Sequence, residues 1–244
     1  DIVISKSRVG KFQEYLADYL EFARIEGRTV KKILWCDRIG WHDGFYHIPQ
    51  MLSGEGVIWD KRLLHYGAKG EKEKELELML YLFQKKSKLA LGYLIAFSSV
   101  LLELLELPNS IFFVQGMAGS GKTTLGNVAL SVFGHFDKLR QGTNATVNYL
   151  EAYLSRRKDT AVLIDDLGKA KDPVEFLRLL VMNAYEGKGR GRANTDATEK
   201  EIAEYRANFI ITSETSIQSL LSDEDIVRGV LRRSVVIHLE EQDR

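Results

Sequence analysis

The sequence predicts a three-layer α/β core around a parallel sheet, preceded by a small α+β region and a helical segment. Three observations carry that prediction. From Ile111 onward, short apolar runs alternate with longer amphipathic segments. The runs at 111–114, 161–164 and 209–212 are almost uninterrupted in apolar residues, as expected for strands covered on both faces. A glycine-rich turn joins the first run to the helix-like segment after it.

Composition bounds the alternatives. The 244 residues suit one large domain, or one and a half ordinary ones. With 45% hydrophobic and 28% charged residues, the chain is neither disordered, collagen-like nor low in complexity. Its 34 Lys plus Arg balance 34 Asp plus Glu, which excludes polyanion binding by bulk charge but allows a local basic patch. The single cysteine, Cys36, excludes an internal disulfide framework and a Cys-based zinc site, and fits a reducing compartment. The longest uncharged run, 89–102, is 14 residues, short of the roughly 20 that a bilayer span needs. With no signal pattern at the N-terminus, a cytoplasmic location and no membrane contact are expected. A start at Asp1 and a charged end read as a piece cut from something longer.

Taken in order, the first region is 1–70. Residues 12–22 have the spacing of a short amphipathic helix, closed near Gly27. Apolar bursts at 32–36, 44–49 and 56–59 then read as a small antiparallel β element, with turns at Asp43-Gly44 and Ser53-Gly54. His42, His47 and His65 fall here, and without Cys neighbours or an H-E-x-x-H spacing they read as turn and sheet-surface residues. The second region, 71–107, reads as two helices broken near Lys85-Lys86-Ser87 or Gly92, opened by a solvated charge run and ended by Pro108.

The third region, 108–244, is the core. Its strands are expected at 111–114, 138–140 (weakly), 161–164, 209–212 and 235–239. Leu125, Val128, Ala129, Val132 and Phe133 form one helical stripe stopped by Gly134. Asp172, Pro173 and Glu175 supply an N-cap, a first-turn proline and a capping-box acid. Leu177, Leu180, Val181 and Ala184 continue that helix to Gly187. A short helix at 225–233 leads into the last strand.

The turn has a definite chemistry. Gly116, Met117, Ala118, Gly119, Ser120, Gly121, Lys122 and Thr123 match G-x-x-x-x-G-K-[ST], with Thr124 following, between a strand and a helix. Glycines let successive N–H groups point inward at phosphate oxygens, and the helix start adds its positive end. Lys122 is placed to reach the β- and γ-phosphates, and the Thr123 hydroxyl to ligate Mg²⁺. The fold class is therefore that of phosphate-loop (P-loop) NTPases, with ATP and Mg²⁺ as expected cofactors. Asp165 and Asp166 end an apolar strand 43 residues beyond Lys122. There Asp165 can hold the metal through water, and Asp166 can orient and deprotonate an attacking water. Thr212 or Ser213, ending another core strand, could touch the γ-phosphate or that water.

Arg232 and Arg233, just before the edge strand, resemble the finger that AAA+ ATPases insert into a neighbouring subunit's site. Lys188, Arg190 and Arg192, spaced by glycine, suit a nucleic-acid backbone, a nucleotide phosphate or a solvated loop.

Several stretches occur in a recognisable order. They are Gly40-Trp-His-Asp-Gly-Phe-Tyr-His-Ile-Pro49, Ser131-Val-Phe-Gly134 after the phosphate loop, Gly142-Thr-Asn-Ala-Thr-Val-Asn-Tyr-Leu-Glu151, Leu163-Ile-Asp-Asp-Leu-Gly168, Glu186-Gly-Lys-Gly-Arg190 and Thr212-Ser-Glu214. The set resembles a family first catalogued as a domain of unknown function, found in primase–helicase proteins of phages, plasmids and other mobile elements. Its members look like minichromosome-maintenance-type AAA+ helicases. The resemblance spans about residues 30–240. It implies a homo-oligomeric, usually hexameric ring that hydrolyses ATP between subunits and moves along single-stranded or forked DNA. Lys122, Thr123, Asp165 and Asp166 match its ATPase motifs, Thr212 or Ser213 its sensor, and Arg233 best its trans arginine. Two departures stand out: Asp-Asp replaces the common Asp-Glu, and no helical lid, second sensor or winged helix follows the last strand.

The leading expectation is the ATP-driven motor core of a mobile-element replicative helicase. A loader or remodelling AAA+ ATPase, and a nucleotide-gated assembly module with little turnover, are the competing ones. A small-molecule kinase would leave the basic segment unexplained.

Overall fold

A computed structural model of the chain describes residues 9–26, 34–54, 56–143, 147–187, 204–220 and 224–243. The N-terminal helix α1 is Val9–Ile25. Four short strands follow: β1 (Leu34–Cys36), β2 (Gly40–His42), β3 (Phe45–His47) and β4 (Val57–Trp59). Then come α2 (Lys72–Lys85) and α3 (Ser87–Val100). The core runs β5 (Ser110–Gln115), α4 (Lys122–Ser131), α5 (Phe136–Leu139), β6 (Gln141–Gly142), α6 (Val147–Leu154) and β7 (Thr160–Asp165). It continues with α7 (Pro173–Glu186), β8 (Ala207–Ser213), α8 (Ile217–Leu220), α9 (Glu224–Arg232) and β9 (Ser234–His238).

Among the described residues, β5 to β9 form one parallel sheet in the order β6-β7-β8-β5-β9. Side chains alternate across it with period two. Ile111, Phe113, Val162, Ile164, Phe209 and Ile211 meet α6, α7 and α9 on one face. Val114, Ala161, Leu163 and Ile210 meet α3 and α4 on the other. Covering both faces explains why the strands read as continuous apolar runs. The architecture is the three-layer α/β expected from the sequence.

The N-terminal strands dock at the end of the sheet where β7 and β8 begin. Asp159, fully buried and left-handed (φ 58), accepts from Arg206 Nε at 2.5 Å and from the Trp41 backbone N–H at 3.3 Å. Tyr46 donates its hydroxyl to the Asp159 carbonyl (2.9 Å). The Arg157 guanidinium lies 3.8 Å from the Tyr153 ring centroid and donates to the Arg62 carbonyl.

Three local expectations differ from the structure. Residues 138 and 139 belong to a helical turn, because the Lys138 and Leu139 N–H groups both donate to the His135 carbonyl. The strand starts only at Gln141. The small β element is antiparallel only at β2–β3, where Asp43 (φ 51) and Gly44 (φ 80) make a tight turn that favours glycine. In contrast β1 and β4 pair in parallel, since the intervening hairpin and turns bring the chain back in the same direction. The helical region breaks at Lys86 but ends at Val100 rather than 107. There the Trp41 indole N–H takes the Val100 carbonyl (2.7 Å), and left-handed Glu106 turns the chain into β5.

Candidate functional site

The site lies at the carboxyl ends of the central strands, where a parallel sheet leaves a crevice between its loops. A cleft of about 320 Å³ opens there, between the loop after β5 and the ends of β7 and β8. That size falls within the range of small-ligand pockets.

The loop owes its shape to glycine. Gly119 and Gly121 adopt φ of 79 and 95, in the left-handed region. A Cβ on Gly116 would sit 2.6 Å from the Ser120 hydroxyl and also meet the Leu239 carbonyl. Gly121 is the N-cap of α4, so that helix starts with its N–H groups directed at the cleft. The Lys122 ammonium folds back onto the loop and donates to the carbonyls of Gly116 (2.8 Å) and Met117 (2.7 Å). Ala118, Thr123 and Thr124 also line the cleft, while Met117 is 83% exposed at the loop tip. The Ser120 hydroxyl is buried with no partner among the described residues.

The acids meet this loop. Asp165 Oδ1 accepts from the hydroxyls of Thr123 (2.9 Å) and Thr212 (2.8 Å). Thr212 in turn accepts from the Asp166 backbone N–H at 2.7 Å. One side chain thus fixes the position of both acids. Asp166 is left-handed (φ 63), which swings its carboxylate out of the strand line toward the cleft. Thr143 donates to its carbonyl (3.3 Å). Ser213 is turned away: its hydroxyl donates to the Thr215 carbonyl and accepts from the Thr215 N–H, closing its own turn. Of the two sensor candidates, Thr212 is the one in the cleft.

Three charged side chains in or beside the cleft were not singled out from the sequence. Lys169 Nζ lies 2.8 Å from Asp166 Oδ2, Arg140 Nη1 is 3.5 Å from Asp165 Oδ2, and Glu214 is 3.9 Å from Lys122 Nζ. Glu214 sits in the Thr-Ser-Glu stretch, and Lys169 three residues past the acid pair, so only their position along the chain could have marked them. Nothing local marked Arg140, which the end of α5 delivers. For Mg²⁺ the donors fit: the Thr123 hydroxyl and the Asp165 carboxylate are hard oxygens in contact. Among the described residues no group of three His, Cys, Asp or Glu is suited to a metal, so such an ion would need phosphate oxygens as further ligands. The rings of His42 and His47 face each other with centroids 5.3 Å apart.

Arg233 Nη1 donates to the Gly229 carbonyl (3.1 Å), capping α9, and Arg232 is exposed. Both precede Ser234, which registers with Ile111 at the far end of β5 from the phosphate loop. Lys188, Arg190 and Arg192 lie outside the described residues. No described helix is long and apolar enough to cross a membrane.

A family model described as a domain of unknown function (DUF927) matches residues 4–204. No curated protein matches the chain. Among solved structures, the SCCmec type IV Cch helicase is similar at 22% identity and a TM-score of 0.64, over 93% of this chain and 44% of that one. The apo C-terminal region of NrS-1 matches at 18% identity and a TM-score of 0.43, over 98% and 54%. The ADP complex of S. cerevisiae Hsp104 matches at 17% and 0.39, over 72% and 37%. The chain thus spans less than half the length of the Cch helicase. The likeness to Cch and the parallel sheet establish an α/β P-loop NTPase fold.

Proposed function

Since the chain belongs to the DUF927 domain family, we propose that its cleft binds ATP with Mg²⁺ and hydrolyses it, as the motor core of an AAA+ DNA helicase of a mobile genetic element. The observation that carries this reading is the Thr123–Asp165 contact at 2.9 Å, which joins the phosphate loop to the acid pair in one cleft.

The N–H groups of residues 119–123 and the Lys122 ammonium hold the β- and γ-phosphates, Lys122 exchanging loop carbonyls for phosphate oxygens. Thr123 and Asp165 hold Mg²⁺, which when bound neutralises charge on the phosphate oxygens. Asp166 accepts a proton from the attacking water as the water oxygen bonds to the γ-phosphorus and the diphosphate leaves. Thr212 fixes the backbone at Asp166 through the reaction. Arg232 or Arg233 serves the site of a second copy in a homo-oligomeric ring, hexameric by the resemblance. Lys188, Arg190 and Arg192 grip single-stranded or forked DNA.

The test uses a chain long enough to include the flanking segments of such helicases. Lys122→Ala is expected to abolish nucleotide binding. Asp166→Ala is expected to keep binding and lose at least about 100-fold in turnover, and single-stranded DNA to stimulate the unaltered protein. Turnover unaffected by DNA would favour a loader or remodelling ATPase. Turnover already negligible, and insensitive to Asp166→Ala, would favour a nucleotide-gated assembly module.

A further inference from the structure

The cleft carries an internal charge balance. Asp165, Asp166 and Glu214 supply its acids. Each lies near one cation of the same chain: Arg140 at 3.5 Å, Lys169 at 2.8 Å and Lys122 at 3.9 Å respectively. A nucleotide brings further negative charge, so its terminal phosphate needs a cation that can move.

Lys122 belongs to the loop, resting on its carbonyls, and approaches the β- and γ-phosphates from the loop side. Arg140 comes from beyond the acids, at the end of α5, and also faces Asp137 at 3.6 Å. Lys169 differs from both. It sits on the single 3-10 turn after Asp166, lines the cleft, and has a side chain 78% exposed, so packing does not fix its direction. Its ammonium is felt by Asp166, Asp165 and Glu214 alike, and these acids raise its pKa, with the Asp166 contact the largest cause. It therefore stays charged at neutral pH, on the acid side of the cleft beside Asp166.

We propose that Lys169 is the γ-phosphate-sensing cation of this site, holding Asp166 when no triphosphate is bound and turning to the terminal phosphate when one is. The inference rests on the nucleotide reading above and assigns that site its means of telling a triphosphate from a diphosphate. Turning away from Asp166 also leaves that carboxylate free to accept a proton only when there is a γ-phosphate to attack. An exposed lysine can do this because its four-carbon stem spans both positions at little cost in packing.

The experiment compares the affinities of ADP and of a non-hydrolysable ATP analogue for the unaltered chain, Lys169→Ala and Lys169→Arg, by calorimetric titration with Mg²⁺ present. Lys169→Ala is expected to weaken the triphosphate about tenfold while leaving ADP within about twofold. Lys169→Arg, which keeps the charge, is expected to restore most of the difference. Because Lys169 is exposed, neither variant should disturb folding, and unchanged ADP affinity checks this directly. An unchanged ATP-to-ADP ratio in Lys169→Ala, with both nucleotides bound by the unaltered chain, overturns this inference alone. Failure of the unaltered chain to bind either nucleotide overturns the nucleotide reading, and this inference with it.

Discussion

Thr212 is the side chain on which both acids depend, donating to Asp165 Oδ1 (2.8 Å) and accepting from the Asp166 N–H (2.7 Å). It is buried, so Thr212→Val keeps the shape but leaves the half-buried Asp166 N–H without this partner, at a cost of about 1 kcal/mol. In a chain of this size that lowers the thermal midpoint by roughly 2–4 °C per kcal/mol. The loss of position at Asp166 is expected to reduce ATP turnover about 10- to 100-fold, with nucleotide affinity changed far less. Thr212→Ser should recover most of it. Steady-state turnover and thermal unfolding of the two variants decide the point, and full turnover in Thr212→Val would remove Thr212 from the site. At this scale the sequence was informative wherever chemistry depends on spacing along the chain. The eight positions of the phosphate loop and the strand ending in two acids were readable because the chemistry itself sets those intervals. The choice between Thr212 and Ser213 was not readable, because successive strand residues face opposite ways and the alternation could not be anchored without the sheet. Lys169 and Arg140 escaped for a related reason: a lone cation after a loop reads as a solvated surface group until its acid partner is located.

Helix α3 shows how an element outside the phosphate loop controls it. Gly92 lets α3 cross α4 so closely that a Cβ there would lie 2.5 Å from the Leu125 carbonyl and 3.0 Å from Val128 Cβ. A side chain at 92 gains at most about 1 kcal/mol in helix propensity. Overpacking against a backbone carbonyl that cannot move away costs about 1–3 kcal/mol. Overpacking wins. Gly92→Val is therefore expected to lower the thermal midpoint and, by displacing the helix that begins at Lys122, to weaken nucleotide binding as well. Thermal unfolding with and without nucleotide measures both, and a more stable Gly92→Val would show that α3 and α4 have room to separate. The break at Lys86 was legible in the Lys-Lys-Ser sequence, and the hairpin in Asp43-Gly44. The parallel pairing of β1 with β4 was not, because three-residue strands carry too little alternation to reveal a direction. The turn at 136–139 is also hidden, since Leu139 between Lys138 and Arg140 has the alternation of a short strand.

Across the whole molecule, the N-terminal strands and the core share one set of buried contacts. Trp41 reaches both Val100 and Asp159, residues 59 and 118 positions away, and Ile39, Leu63 and Tyr66 belong to the same apolar cluster as Leu125 and Leu163. No periodicity announces such contacts, because Asp159 and Arg206 look like surface charges until the fold buries them together. The same long-range register bears on assembly. Ser234 pairs with Ile111 and the phosphate loop follows Gln115, so Arg232 and Arg233 sit about four strand residues, roughly 13 Å, from the loop of their own chain. At that distance, with Arg233 bent back onto Gly229, they stand off from the cleft of their own chain, and service to a second copy is the proposal to be tested. Two variants with complementary defects test this. A chain with Arg232→Ala and Arg233→Ala keeps its acids but lacks the arginines, whereas Asp166→Ala keeps the arginines but lacks the proton acceptor. Each alone is expected to bind nucleotide and turn over poorly. Mixed in equal amounts, random assembly creates about a quarter of interfaces that pair an intact Asp166 with an intact arginine pair. Turnover in the mixture should therefore rise well above that of either variant, in proportion to the mixed oligomer seen by mass measurement. Mixed oligomers without that rise would leave the arginines as caps of α9, and the cleft would have to draw its cations from its own chain alone.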